Sequence, residues 1–249
     1  MDAIDFERVE QALAEGGFTH LAAVHHETTS GRLNDVRKLA ELCETNGVSL
    51  LLDTVSSFGA EDIPFDSPAL TACAVTANKC LHGIPGLCFV IARRSALAAG
   101  AEPPRTLYLH LPLWLGKQDQ QGTPFTPPVN SLLALAKALE ELEKQGGWKG
   151  RRAYYADLAG QVNSTLAKFG VQAMLEEGAS SCVLNAYRSP EGFSYERIHD
   201  GLKQWGFVIH TGQGSLLDEM LLISTMGDIT HYDMERLLAA IETVFSSRV

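Results

Sequence analysis

The sequence predicts an α/β protein built around a mostly parallel sheet, and three observations carry that prediction. Short apolar runs at 18–24, 48–52 and 72–75 alternate with amphipathic or polar stretches through the first third of the chain, the succession expected of a parallel or mixed sheet. The run at 48–52 is apolar apart from Ser49, as in a strand covered on both faces. Thr28, Asp53 and Lys79 each follow one of these runs. Ligands in open α/β sheets bind outside the carboxyl ends of the strands, so the three polar stations mark the candidate site.

The elements follow in order. Ile4, Val9 and Leu13 with charges between them predict a short amphipathic helix over 4–15, ended by Gly16 and Gly17. The strand at 18–24 runs into a polar turn, HHETTSG. Asn34 is placed to cap a helix whose Val36, Leu39, Ala40 and Cys43 share one side and which stops at Asn46-Gly47. Asp53 ends the next strand, and a loop through Pro64 and Pro68 leads to the strand that delivers Lys79. After Gly83, Pro85 and Gly86 a further apolar run covers 87–92. Residues 112–128, rich in Pro, Gly and Gln, read as an irregular loop of a length usually kept for function.

A leucine- and alanine-faced helix over 129–143 is broken by Gly146-Gly147, and a second amphipathic helix spans 148–169. Its basic start, Lys149, Arg151 and Arg152, reads as the solvated opening of that helix. Strands at 180–187, 207–210 and 220–225 with helices at 195–205 and 231–245 form an α+β unit. The glycine pair therefore divides the chain into 1–147 and 148–249.

Composition narrows the function. The 249 residues are 45% hydrophobic and 20% charged, with a formal net charge of −10. That balance argues against a nucleic-acid surface, which needs clustered Lys and Arg. No apolar run reaches the roughly 20 residues of a membrane span, and the acidic, amphipathic start is unlike a signal peptide. The five cysteines are odd in number and scattered, as reduced thiols of a cytoplasmic protein would be. There is no C-x-x-C and no H-x-x-x-H, and the adjacent His25 and His26 point opposite ways on a strand, so metal ligation finds no support. Nucleophile-elbow, Walker and kinase motifs are absent as well.

What remains is an acid and a lysine at neighbouring strand ends. They could form a salt bridge. They could also anchor pyridoxal 5'-phosphate: a lysine amine condenses with its aldehyde, and a carboxylate keeps its pyridine nitrogen protonated. Five motifs bear on the choice: HHETTSGRLND, LLLDTVSSFGAEDIPFD, TANKCLHGIPGLCFVIA, GTPFTPPVNSLLAL and LLISTMGDIT. In order and approximate spacing they resemble the class V aminotransferases, from about residue 18 to the C-terminus, and most of all the branch that moves the amino group of 2-aminoethylphosphonate to pyruvate.

The resemblance implies an incomplete PLP-transferase (fold type I) large domain with a mostly parallel sheet, followed by a smaller α+β C-terminal domain. It implies that Lys79 condenses with the cofactor and carries a proton, and that Asp53 pairs with the pyridine nitrogen. Thr28 matches the position that hydrogen-bonds the ring hydroxyl. Asn78 matches one beside the phosphate, and Thr126 one that reaches the phosphate from the other subunit of a homodimer. Substrates would be an aminophosphonate-like amine and a 2-oxo acid. Two departures accompany these matches. The family's N-terminal glycine-rich portion has no counterpart before residue 18, which implies a separate chain supplying that half or a subunit without catalysis. Leu222 stands where the family places a carboxylate-gripping arginine, which leaves a lyase acting on a related aminophosphonate as an alternative.

Overall fold

Asp5 accepts the Arg8 amide at 3.0 Å, which caps α1, Phe6–Glu15. The computed structural model describes residues 2–98, 104–176, 178–217 and 220–246. After α1 come β1 (His20–Val24), the small hairpin β2 (His26–Glu27) and β3 (Arg32–Leu33), and α2 (Val36–Thr45). The cap of α2 is Asp35, whose carboxylate accepts the Lys38 amide at 2.9 Å. Asn34, the expected cap, instead turns its amide back to the Val24 carbonyl at 2.9 Å. The helix thus starts one residue late, because Asn34 is held to the end of β1.

β4 (Ser49–Asp53), β5 (Leu70–Thr76) and β6 (Cys88–Ala92) complete a four-stranded sheet in the order β1-β4-β5-β6. The first three strands run parallel and β6 antiparallel. Residues of alternate parity point to opposite faces. One face sends Leu50, Leu52, Cys73 and Val75 onto Leu13 of α1 and Val36, Leu39, Ala40 and Cys43 of α2. The other carries Ala22, Leu51, Ala72, Ala74 and Val90, aligned across the strands and partly or fully exposed. Asp53 belongs to this open face. A strand sequence suited to cover on both sides therefore has cover on one.

α3 (Arg94–Ala98) is followed by α4 (Leu111–Asp119), which takes up the first part of the 112–128 stretch expected to be irregular and starts one residue before it. Pro112 sits in its first turn, a favoured place for proline, and Lys117 in its last. Arg94 anchors the end of α4 through two bonds to Asp119 at 2.7 and 2.9 Å. Tyr108, Trp114 and Phe125 pack mutually beside it. α5 (Val129–Lys144) and α6 (Gly147–Ala167) are separated by Gly146 at φ 89°, in the left-handed region where glycine is favoured.

Beyond α6 lie β7 (Leu184–Arg188), α7 (Tyr195–Gln204), β8 (His210–Thr211), β9 (Met220–Ser224) and α8 (His231–Ser246). The strands form an antiparallel sheet in the order β7-β9-β8. Its core joins Leu158, Val162 and Leu166 of α6 to Ile198 and Leu202 of α7, Leu221 and Ile223 of β9, and Ile241 and Phe245 of α8. Of the strand expected at 207–210 only His210 pairs with β9; the observed β8 is His210 and Thr211.

Candidate functional site

Asp53 is the last residue of β4 and is exposed. One carboxylate oxygen accepts the Val55 amide at 2.9 Å, and the other takes no hydrogen bond among the described residues. Its backbone carbonyl accepts the His25 amide at 2.9 Å, which ties the end of β4 to the end of β1. Thr28 lies in the turn of the β2–β3 hairpin and is exposed. Gly31 closes that turn at φ 77°, and a Cβ there would stand 2.5 Å from the Leu184 carbonyl oxygen. Only glycine lets the hairpin lie this close to β7.

Lys79 lies in the turn between β5 and β6. Thr76 Oγ1 donates to Asn78 Oδ1 at 2.7 Å, the Gly83 amide returns to the Ala77 carbonyl at 2.7 Å, and the His82 amide to the Lys79 carbonyl at 2.9 Å. His82 adopts φ 64°, a region uncommon for a residue with a side chain. A Cβ at Gly83 would meet the Ala77 carbonyl oxygen at 2.8 Å, so the turn closes only with glycine there. The Lys79 side chain is half-buried and makes no ion pair or hydrogen bond among the described residues. Asn78, whose oxygen is occupied by Thr76, keeps its amide N–H groups for another partner.

Behind the turn stands His26, buried, with Nδ1 at 3.2 Å from the Ser56 carbonyl and Nε2 without a partner. Burial lowers its pKa, and the charge of Lys79 acts in the same sense, while the Ser56 carbonyl and Glu61 oppose it. The Cys80 thiol, pushed up to about 12 chiefly by burial, donates to the Ser56 carbonyl at 3.5 Å.

Sequence reasoning missed the residues that support this turn. Arg151, read as part of a solvated helix start, is 1% exposed and donates from Nη1 to the Cys80 carbonyl at 2.7 Å. Arg152 pairs at 3.0 Å with Glu61, which is 2% exposed. Glu61 also accepts Ser181 Oγ at 2.7 Å and the Cys182 amide at 2.8 Å. Tyr155 OH meets His82 Nε2 at 2.5 Å and accepts the Gly227 amide at 3.3 Å. A basic cluster at a helix start looks solvated in one dimension. The available signal was the spacing of Arg151 and Tyr155, which share a helix face with Leu158.

Asp53 thus ends β4, and Asn78 and Lys79 follow the end of its parallel neighbour β5, while Thr28 lies beyond β1 in the turn of the separate β2–β3 hairpin. Thr126 belongs to the exposed connection from α4 to α5 and not to that edge. Leu222 is buried on β9 with Met220 and Ala186, against Met174, Leu184 and Leu216. The side chain at 222 offers apolar contact and no cation.

The family model for aminotransferase class-V matches residues 2–216. The chain belongs to the class V aminotransferase family. It is 38% identical over 226 residues to 2-aminoethylphosphonate–pyruvate transaminase of Aeromonas hydrophila, a match that covers 89% of this chain and 59% of the relative. Identity to the same-named protein of Klebsiella pneumoniae is 36% over 245 residues, covering 96% of this chain and 66% of the relative. The chain thus spans about six-tenths to two-thirds of the length of these curated relatives. Among solved structures, aspartate aminotransferase of Thermus thermophilus superposes with a TM-score of 0.85 at 27% identity, covering 96% of this chain and 68% of that one. Alanine–glyoxylate aminotransferase of Nostoc sp. gives a TM-score of 0.88 at 23% identity over 98% of this chain and 66% of that one. The fold is that of the pyridoxal-phosphate-dependent transferases.

Class V aminotransferases use pyridoxal phosphate, and the donor set of this chain fits that group. Among the described residues, the fit rests on a half-buried amine with no counter-ion, a carboxylate with a free oxygen on the adjacent strand, and unengaged amide N–H groups on the residue before the amine. An intramolecular Lys79–Asp53 salt bridge, the simpler reading of an acid and a lysine at strand ends, does not form among the ion pairs of the described residues.

Proposed function

We propose that this chain is the lysine-bearing part of a pyridoxal-phosphate-dependent aminotransferase that moves the amino group of 2-aminoethylphosphonate to pyruvate. The observation that carries the reading is Lys79, an amine without an ion pair among the described residues, in the turn after β5, whose parallel neighbour β4 ends at Asp53, in a chain similar to transaminases so named. When bound, the cofactor supplies an aldehyde that captures amines and a ring that takes up the electron pair released at the amino carbon. Lys79 would hold the cofactor through its amine and carry a proton at Nζ. Asp53 would keep the ring nitrogen protonated, since the opposite charge favours both ionised forms. Thr28 would bind the ring hydroxyl, Asn78 would help to hold the phosphate, and Thr126 would do so from the other subunit of a homodimer. Residues 1–147 form the cofactor-holding unit and 148–249 the smaller one. Free thiols and an acidic surface suit the cytoplasm.

A second reading has two observations behind it. Leu222 gives a carboxylate substrate nothing to grip, which favours a lyase on a related aminophosphonate. The open sheet face favours a subunit completed by a separate polypeptide.

The test of the first reading is chemical. Incubation with pyridoxal phosphate followed by borohydride should fix a pyridoxyl mass on the peptide bearing Lys79, and K79A should abolish it. A labelled protein whose mass maps elsewhere, or no label at all, sinks the reading.

A further inference from the structure

We propose that Arg151 and Tyr155, one turn apart on α6, are positioning residues for Lys79, holding the turn that carries it. The inference rests on the reading of Lys79 as the cofactor lysine. Arg151 is a fully buried cation. Its Nη1 donates to the Cys80 carbonyl at 2.7 Å and its Nε to Gln145 Oε1 at 2.8 Å, and its guanidinium lies 5.9 Å from the centroid of the Tyr155 ring. No carboxylate pairs with it among the described residues. A leucine or methionine would fill such a place on a helix face at lower cost than a desolvated guanidinium. What the guanidinium adds is a charged hydrogen bond aimed at one backbone carbonyl, that of the residue next to Lys79.

Tyr155 acts three residues beyond the lysine. It is 0% exposed, and burial pushes its pKa up to about 12, so its hydroxyl stays a donor. Burial also lowers the pKa of His82, leaving that imidazole neutral with Nε2 free to accept the phenol proton at 2.5 Å. His82 holds φ 64°, a conformation that persists where surrounding contacts over-determine it. The His82 amide in turn closes the turn onto the Lys79 carbonyl at 2.9 Å. Lys79 is therefore gripped on its C-terminal side at two points, both from α6 and both within three residues. The same Tyr155 oxygen accepts the Gly227 amide at 3.3 Å, which ties the turn to the segment after β9.

Two measurements test this on the intact chain. Hydrogen exchange of the cofactor-free protein compares wild type with R151M and Y155F. The His82 and Gly83 amides should exchange roughly tenfold faster or more in each variant, with β4 and β5 protection unchanged. Unchanged exchange in the turn overturns the proposal whether or not Lys79 takes the cofactor. The second measurement is the rate of borohydride-trapped labelling by pyridoxal phosphate. R151M should label Lys79 roughly tenfold more slowly, and R151K, which keeps one donor for the Cys80 carbonyl, should recover most of the rate. Equal rates in R151M and wild type overturn the proposal. Absence of label in the wild type sinks the reading of Lys79 instead, and the exchange comparison then decides the positioning alone. Should R151M fail to fold, Y155F carries the same exchange comparison, with R151K as the control expected to keep wild-type protection.

Discussion

His25 follows β1 directly, is 2% exposed, and has its pKa lowered from 6.5 to about 4. Burial is the main cause; His26 adds to it, while Glu61, Asp62 and Asp35 oppose it. Between those two pH values the unfolded chain binds a proton that the folded one does not. Stability therefore rises with pH across that window and falls on acidification. A shift of this size corresponds to about 3 kcal/mol at full extent, and His26, also lowered, acts in the same direction. Urea midpoints measured from pH 7 down to 4.5 should fall steeply in the wild type and more gently in H25N. A flat profile in the wild type would contradict the burial of both rings.

At the scale of the element, α6 joins the two sheets through charges that sequence alone does not orient. Glu61, in the loop after β4, is the receiving end. E61A would leave the Ser181 hydroxyl and the Cys182 amide buried without an acceptor, and an unsatisfied buried donor costs about 1–3 kcal/mol. We expect about 3 kcal/mol of lost stability by denaturant titration, with E61Q losing less because its amide oxygen can still accept. Strands were legible because 48–52 and 72–75 are apolar, short and ended by chemistry-bearing residues. The positions of Asp53 and Lys79 after neighbouring strands were legible for the same reason, whereas Thr28 lies past its strand in a hairpin turn and Asn78 was pointed to by the family resemblance alone. α4 was hidden because Pro112 and the glutamines read as breakers, although proline in a first turn is favourable. Arg151 was hidden because a charge at a helix start is normally solvated, and its burial depends on where the Lys79 turn comes to rest. Glu61 gave no signal, because its partners lie 91 to 121 residues away.

At the scale of the molecule, the apolar surface still exposed bears on the proposed homodimer. Val129, Leu132 and Leu133 are 55%, 41% and 65% exposed, and their spacing of three and four puts them on one face of α5. Leu107, Tyr108 and Leu109, 63–73% exposed, precede α4. Patches of this kind on a folded chain mark interaction sites more often than they mark defects. The proposed homodimer places Thr126, three residues before α5, where a second copy could reach it. If α5 forms that contact, L132D combined with L133D should lower the sedimentation coefficient from that of a dimer to that of a monomer. Both side chains face solvent in the single chain, so the melting temperature of the monomeric unit should change little. Dimer loss should also slow borohydride trapping at Lys79, because the phosphate would lose the contact from Thr126. A double variant that sediments like the wild type would place the interface elsewhere, and one that dissociates without slower trapping would remove Thr126 from the site.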